Sequence, residues 1–419
     1  MNRAQKTVFG LCLGIAVAGT VGCSENKYAP LWEGKKNDST LTSIFISDLH
    51  MGIDNAFAEN VTNVPYLVNF LNRAKVTEDL DEIVIVGDMF DGWYLPFSYG
   101  VIKDYKTFYQ DVAKNNIEFV NVVNSIIKDG KIKVVYLPGN HDVDLSEDIV
   151  ASIFPGITQA RDADGVGTYR TGLRKEIAAE HGHRYNVFCA PDNMTDKDLR
   201  KNSVLFGPGY FYTRLAATSL TTGFNKRSYE FPDFGMPLLA TPEILSAYKL
   251  YKVWDAASSA IGVPGMGFYD KVIPCGLAGY DDFYAMSDLV PLYRDGKLTD
   301  TLFKGIDTNW VELQKQNLVN VIQDYGEAVF ESAELEATDR KAYNDYFDVD
   351  KSVEVVVFGH THVPLLYKNK EDYQKTTYVN TGTWIDHNIN GDNTTRTYVK
   401  IVSSKSSDDV TLFTFNPEE

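Results

Sequence analysis

Short apolar runs recur along the chain, and each of them ends abruptly in polar residues. The runs are rich in β-branched residues and cover positions 43–46, 82–86, 133–137 and 353–358. Continuous apolar runs of this length are typical of β-strands that are buried on both faces of a sheet. Two later segments, 394–402 and 410–415, alternate apolar and polar positions across a polar stretch and predict a closing hairpin.

Helical patterns lie between these strands. Phe119, Val122, Val123 and Ile126 recur at helical spacing, and Gly130 is suited to the left-handed residue that ends a helix. Strands that alternate with helices predict an α/β sheet sandwiched between helices.

The interval 196–350 departs from this alternation of strands and helices, and its loops are dense in Gly, Pro and aromatic residues. Thr241-Pro242-Glu243 predicts the start of a helix, with Thr as its cap and Pro in its first position. A second amphipathic face is predicted from Val311, Leu318, Val319 and Ile322. We therefore predict a large, mostly helical insertion, or cap, between a first part of the core (41–195) and a second part (351–419).

The first 22 residues have the pattern of a signal peptide. Two basic residues precede a small, apolar run over 8–21, which is too short to make a good membrane-spanning helix. Small residues then precede Cys23, and this resembles a bacterial lipoprotein signal, in which cleavage leaves a lipidated cysteine. The alternative is an ordinary secretory signal with an incidental cysteine. Lipidation predicts anchoring in the bacterial cell envelope, outside the cytoplasm, through a polar tether over 23–40.

Composition and charge narrow the classes of partner. The chain has 419 residues, 44% of them apolar, and a formal net charge of −17. Such an acidic surface repels phosphate backbones, so we expect no nucleic-acid partner. A phosphorylated substrate is still compatible, because bound metal ions can invert the local field inside a site.

Histidine is distributed unevenly, since six of the seven histidines lie in four short clusters. The clusters are His50, His141, His181 with His183, and His360 with His362. All but the third directly follow a predicted buried strand. Because the carboxyl ends of such strands line the binding crevice of α/β sheets, these side chains are expected at one site.

The residue types at these positions favour two divalent ions. Oxygen and imidazole ligands suit Mn, Fe or Zn, whereas a structural zinc site would favour thiolates. Seven candidate ligands are too many for one ion, and a carboxylate such as Asp88 can bridge two. The candidates are Asp48, His50, Asp88, Asn140, His181, His360 and His362.

Four motifs carry a resemblance to a known family. Ser47-Asp48-Leu49-His50, the segment 87–91, the segment 139–142 and Gly359-His360-Thr361-His362 resemble, in order, the motif series of the calcineurin-like metallophosphoesterases. The resemblance implies a β-sandwich flanked by helices and an enzyme that hydrolyses phosphate esters. The runs 88–93 and 136–142 resemble in particular the branch that contains UDP-diacylglucosamine pyrophosphatase-like proteins.

The resemblance also implies a role for each motif residue. One metal would be held by Asp48, His50, Asp88 and His362. The second metal would be held by Asp88, Asn140, His181 and His360. His141 resembles the residue that contacts the phosphate and assists the leaving group, oriented by Asp91. In the segment 180–186 the resemblance favours His181 over His183 as the ligand.

Together these features predict hydrolysis by a hydroxide that bridges two metal ions and attacks phosphorus in line. The substrate would be a phosphomonoester, a phosphodiester or a pyrophosphate, on a small molecule or a lipid. The alternative is a non-catalytic cell-envelope lipoprotein that keeps the fold as a binding module, and the unbroken ligand set argues against it. A nuclease is disfavoured by the acidity and by the absence of a basic aromatic groove.

Overall fold

Two β-sheets pack face to face at the centre of the molecule. The structure, a computed structural model, describes residues 28–196, 206–275, 282–332, 338–369, 375–389 and 391–418. The predicted signal peptide and Cys23 lie outside the described residues. Among the helices of the described part, none combines the length and the apolar character needed to cross a bilayer.

The strands and helices have the following bounds in chain order. The strands are β1 (Thr40–Ile46), β2 (Glu82–Val86), β3 (Lys133–Leu137), β4 (Thr158–Gln159), β5 (Thr168–Thr171), β6 (Ile177–Glu180), β7 (Ile273–Pro274), β8 (Phe283–Tyr284), β9 (Leu292–Arg294), β10 (Lys297–Thr299), β11 (Val355–Phe358), β12 (Leu365–Lys368), β13 (Thr377–Asn380), β14 (Thr397–Ser404) and β15 (Asp408–Thr414). The helices are α1 (Val64–Lys75), α2 (Tyr105–Asn115), α3 (Ile117–Asp129), α4 (Glu147–Ile153), α5 (Gly209–Thr222), α6 (Pro242–Ala257), α7 (Met286–Leu289), α8 (Ile306–Gln316), α9 (Tyr325–Glu331) and α10 (Thr338–Ala342).

The first sheet has the order β15-β14-β1-β2-β3-β4 and the second has the order β12-β13-β11-β6-β5. Strands β1 to β4 are parallel to one another, and so are β6, β11 and β13. The predicted closing hairpin is confirmed as β14 and β15, which pair antiparallel along the edge beside β1. The parallel centre of each sheet directs several strand ends to the same edge of the sandwich.

Alternating side chains of β2 show why its run is continuously apolar. Val84 and Val86 lie between the two sheets, whereas Ile83 and Ile85 face the helices on the outside. Burial of each such side chain stabilises the fold by about 1.5–3 kcal/mol. The prediction of strands buried on both faces is therefore confirmed for this strand.

Helices α1 to α4 cover the outer face of the first sheet. In α3, Phe119, Val123 and Ile126 are buried in that layer, as their spacing predicted. Gly130 follows the helix with φ 66°, a left-handed conformation that costs a glycine little because it has no Cβ.

The chain before β1 packs on the core instead of standing free of it. Leu31 and Trp32 pack against the hydrophobic core that includes the buried side chains of α1. The Trp32 Nε1 donates to Asp79 Oδ1 at 2.7 Å. The Arg73 guanidinium donates to the backbone carbonyls of Ala29 and Pro30. Part of the predicted tether therefore contacts the folded core of the protein.

The insertion has an aromatic-rich core of its own. Helices α5, α6, α8 and α9 surround it, together with the short hairpins β7–β8 and β9–β10. The predicted start of α6 is confirmed, since Thr241 Oγ1 accepts a hydrogen bond from Ile244 N at 3.3 Å and Pro242 opens the helix.

The second amphipathic face predicted in the insertion is wrong. Helix α8 ends at Gln316, and Val311 and Leu318 are 45% and 50% exposed. The chain folds back after the helix, because the Gln314 side chain binds both the backbone N and the carbonyl of Gln323 at 2.9 Å. The face that is buried consists of Ile306, Trp310, Leu313 and Gln314.

Candidate metal centre and active site

All seven predicted metal ligands lie at the edge of the sandwich where parallel strands end. Both sheets contribute, so the site is built across the interface between them. Asp48 and His50 follow β1, Asp88 follows β2, Asn140 follows β3, His181 follows β6, and His360 and His362 follow β11.

The first cluster of ligand atoms joins the two sheets. Asp48, His50 and His362 offer ligand atoms that all lie within 4.8 Å of one another. His50 Nε2 is 3.0 Å from His362 Nε2, and His362 Nε2 is 3.2 Å from Asp48 Oδ1. His50 Nδ1 is 3.1 Å from Asp91 Oδ2, and donation from Nδ1 to this carboxylate would leave Nε2 to bind a metal ion.

The second cluster consists of Asp48, Asp88 and His181, whose ligand atoms also lie within 4.8 Å of one another. His181 Nε2 is 3.1 Å from Asp88 Oδ2 and 3.2 Å from Asn140 Oδ1. Its Nδ1 donates to the carbonyl of Val86 at 2.8 Å, which turns the Nε2 toward the site.

Asp88 connects the two clusters. The same oxygen, Oδ2, is 3.6 Å from His50 Nε2 and 3.1 Å from His181 Nε2. A carboxylate between two imidazoles of different clusters has the placement that a bridging ligand requires.

His360 lies beside the second cluster without belonging to any set of mutually close ligand atoms in the described part of the chain. Its ring is edge-on to that of His181, with 5.2 Å between centroids. Its backbone N donates to Asp48 Oδ2 at 3.0 Å, and its Nε2 is 3.3 Å from the Asn186 side-chain amide.

His183 is buried, but its ring is held by the backbone. Its Nε2 donates to the carbonyl of Gly165 at 2.9 Å, and its Nδ1 has no hydrogen-bond partner in the described chain. Burial and the neighbouring His181 hold the pKa of His183 well below its usual value. This geometry favours His181 as the ligand, as the sequence did.

A pair of substitutions tests that choice. If His181 is a ligand, His181→Ala should deplete one of the two metal ions, because Asp88 and Asn140 lose their imidazole partner. His183→Ala is the matched control, since it removes an equally buried imidazole and should spare both ions. The measurement is the number of metal ions per chain in the two purified variants. Loss of an ion in His183→Ala alone would show that His183 is the ligand.

The backbone at the site is unusual at five of the seven ligand positions. The left-handed φ angles are 52° at Asp48, 43° at His50, 51° at Asp88, 74° at His360 and 61° at His362. Each costs roughly 1–2 kcal/mol in a residue that carries a Cβ, and such outliers cluster at functional sites. The surrounding structure holds them by hydrogen bonds, for example from Thr383 Oγ1 to the Asp48 carbonyl at 2.9 Å.

The buried negative charge of the site requires positively charged partners. Asp48, Asp88 and Asp91 are all buried, and buried carboxylates need positive partners. Burial opposes the charge on His181, but Asp88 and Asp48 outweigh it and raise its pKa to about 9. Asp48 Oδ1 accepts no hydrogen bond within the described chain. Imidazole nitrogens and carboxylate oxygens that converge in this way fit Mn, Fe or Zn ions.

His141 and Asp91 form a hydrogen-bonded pair at the rim of the clusters. His141 Nδ1 is 3.0 Å from Asp91 Oδ1, and the His141 side chain is 14% exposed. Burial opposes protonation of His141, but Asp91 and Asp88 outweigh it and raise its pKa. The His141 Nε2 makes no hydrogen bond to the part of the chain that the structure describes, so it can serve a substrate.

The sequence missed several residues that support the site. Glu59 Oε2 lies 3.5 Å from His50 Nδ1, and Glu59 belongs to an irregular loop without a motif. Asp142 accepts hydrogen bonds from Gly139 N at 2.7 Å and Met89 N at 2.8 Å. Asp142 thereby fixes the turns that carry Asp88 and Asn140.

Comparison with known proteins gives one family. Residues 41–233 match the family model described as calcineurin-like phosphoesterase. The segment 359–362 lies outside this range, and the fold places its two histidines against Asp48 and His181. None of the curated proteins compared with the chain gives a significant match. Residues 41–233 thus match a calcineurin-like phosphoesterase domain, and this similarity indicates a metal-dependent hydrolase of phosphoesters.

Proposed function

We propose that this protein hydrolyses a phosphomonoester, a phosphodiester or a pyrophosphate with two divalent metal ions. The observation that carries the proposal is that Asp88 Oδ2 lies close to an imidazole of each cluster, 3.6 Å from His50 Nε2 and 3.1 Å from His181 Nε2. The family match over 41–233 supports the same reaction class.

The proposed ligands combine the two clusters with the roles that the family resemblance implies. One ion would be held by Asp48, His50, Asp88 and His362. The other would be held by Asp88, Asn140, His181 and His360. When bound, such a pair of ions supplies Lewis-acid stabilisation of the phosphate and an acidified water as nucleophile.

We propose that His141 and Asp91 act on the leaving group. Asp91 accepts from His141 Nδ1 and so fixes the tautomer, which leaves Nε2 to face the substrate. We propose that His141 acts in its doubly protonated form, which its raised pKa favours, and that the Nε2–H stabilises charge on the phosphate or passes its proton to the departing oxygen. The proton on Nδ1 stays on the hydrogen bond to Asp91 during this transfer.

Metal analysis and a substrate screen test the proposal together. Protein purified without chelator should approach two ions per chain and should hydrolyse a phosphate ester, and chelation should abolish turnover. The screen includes aryl phosphates, nucleotides and sugar nucleotides, since the UDP-diacylglucosamine pyrophosphatase-like resemblance adds pyrophosphates and lipid substrates to the candidates. A folded protein that binds one ion or none after Mn reconstitution would contradict the proposal.

We also propose that a lipidated Cys23 anchors the protein outside the cytoplasm in a bacterial cell envelope. The support is the apolar run before Cys23 and the small residues that precede it. Only residues 24–27 separate Cys23 from Tyr28, where the described structure begins. At about 3.3–3.6 Å per residue, the anchor would hold the core within roughly 20 Å of the bilayer.

Substitution of Cys23 tests the anchor. Cys23→Ser should release the protein from membranes or block its processing, because serine offers no thiol for the lipid. Cys189→Ser is the control and should leave fractionation unchanged. Membrane association and normal signal cleavage in Cys23→Ser would refute lipidation.

A further inference from the structure

Trp93 forms one wall of the His141 site. It lies two residues after Asp91 and is 2% exposed. Its ring stacks on the His141 imidazole, with 4.8 Å between centroids and 28° between planes. The His50 ring contacts His141 edge-on at 4.5 Å, so two rings and the Asp91 carboxylate confine the imidazole.

The backbone around Trp93 holds the partner of His141 as well. Asp91 Oδ1, which binds His141 Nδ1, also accepts from Trp93 N at 2.8 Å and from Tyr94 N at 2.7 Å. Gly92 N donates to the carbonyl of His141 at 2.8 Å. The backbone of segment 92–94 therefore fixes the position of the Asp91 carboxylate. Through that carboxylate it also fixes the orientation of the His141 ring.

The insertion in turn holds Trp93. The Trp93 ring packs against Phe206 at 5.6 Å and against Tyr210 at 6.0 Å between centroids. Phe206 and Tyr210 stack on each other at 4.9 Å. Tyr210 belongs to α5, so an aromatic chain runs from the insertion to His141.

Helix α5 also fastens the loop that follows Trp93. The buried Arg214 donates to the carbonyl of Gly100 at 2.6 Å and to that of Pro96 at 3.3 Å. Thr218 Oγ1 accepts from Phe97 N at 2.9 Å. Three hydrogen bonds thus fix this loop of the catalytic core to one face of α5.

We propose that helix α5 of the insertion positions His141 through Trp93, so that the insertion is a working part of the catalytic centre. Trp93 and Tyr210 are then positioning residues. The inference rests on the proposed function only in giving His141 its role toward the leaving group. An imidazole displaced by about 1 Å can lose roughly 10²-fold in rate, so the packing of its neighbours has a kinetic consequence.

A double-mutant cycle tests the link between Trp93 and His141. The substrates are phenyl and p-nitrophenyl esters of the phosphate type that the enzyme hydrolyses. Trp93→Ala should lower kcat by roughly 10–100-fold for the phenyl ester and less for the p-nitrophenyl ester, whose leaving group needs little proton transfer. Trp93→Phe, which retains a stacking ring, should restore most of the loss, and metal content should stay unchanged.

The double mutant shows whether Trp93 acts through His141. In the His141→Ala background, Trp93→Ala should have little further effect, because the residue that it positions is gone. If His141→Ala slows an active enzyme but the Trp93→Ala loss remains in full in that background, Trp93 does not act through His141. A metal-loaded wild-type protein without turnover would instead refute the proposed function.

A spectroscopic readout tests the role of the insertion without turnover. The His141 ring-proton resonance, assigned by its loss in His141→Ala, should carry the ring-current shift of the stacked indole. Tyr210→Ala should move it toward its position in Trp93→Ala, because Tyr210 supports Trp93. Trp310→Phe is the control, since Trp310 packs in the insertion core against Tyr325 and should leave the resonance in place. An unmoved resonance in Tyr210→Ala would overturn the inference.

Discussion

Asp88→Asn should cost the protein most of its bound metal and nearly all of its turnover. Asp88 Oδ2 lies between His50 and His181, and a neutral amide there leaves the repulsion of two cations uncompensated. Loss of a residue that merely orients a ligand lowers metal affinity 10- to 100-fold, so loss of the bridging carboxylate should exceed about 100-fold. Metal analysis after dialysis measures this directly.

Asp144→Asn is the matched control for this substitution. Burial raises the pKa of the Asp144 carboxyl to about 8, which favours its neutral form at pH 7, so the amide is a conservative replacement. The variant should keep both ions. Normal metal content in Asp88→Asn would show that Asp88 does not bridge them.

His141→Ala should lower turnover by roughly 10²–10⁴-fold, the usual contribution of a general acid or base, and should leave metal content intact. The expectation follows from the geometry, because His141 contacts Asp91 through Nδ1 and does not belong to the set of mutually close ligand atoms that contains Asp88. Steady-state kinetics and metal analysis on the same preparation separate catalysis from metal binding.

The same change at His387, which is exposed, should alter neither quantity. Full activity in both His141→Ala and Asp88→Asn would mean that the reaction takes place elsewhere in the molecule.

The features that the sequence predicted are those with a local signal. The apolar run of β2, the left-handed Gly130 after α3 and the Thr241 cap of α6 each depend on residues a few positions apart. The motif residues were also predictable, because they follow strands whose ends meet at one edge. Their pairing across 312 positions, between His50 and His362, then follows from the topology of the two sheets.

The features that the sequence missed depend on contacts without periodicity. The end of α8 is set by the reciprocal hydrogen bonds of Gln314 and Gln323, which no pattern of apolar positions indicates. Glu59 approaches His50 from an irregular loop. The stacking of Trp93 on His141 joins residues 48 positions apart, and the support from Tyr210 comes from a segment without a recognised motif.

The left-handed backbone at Asp48, His50, Asp88, His360 and His362 has a consequence for how such a protein could change over generations. Glycine adopts this conformation more easily than a histidine or an aspartate does, because it has no Cβ. A lineage released from selection for turnover would gain stability by acquiring Gly at these positions, and each such change would also remove a metal ligand. The gain in folding stability would thus favour the loss of activity. Descendants that had become binding proteins would be recognisable by those replacements.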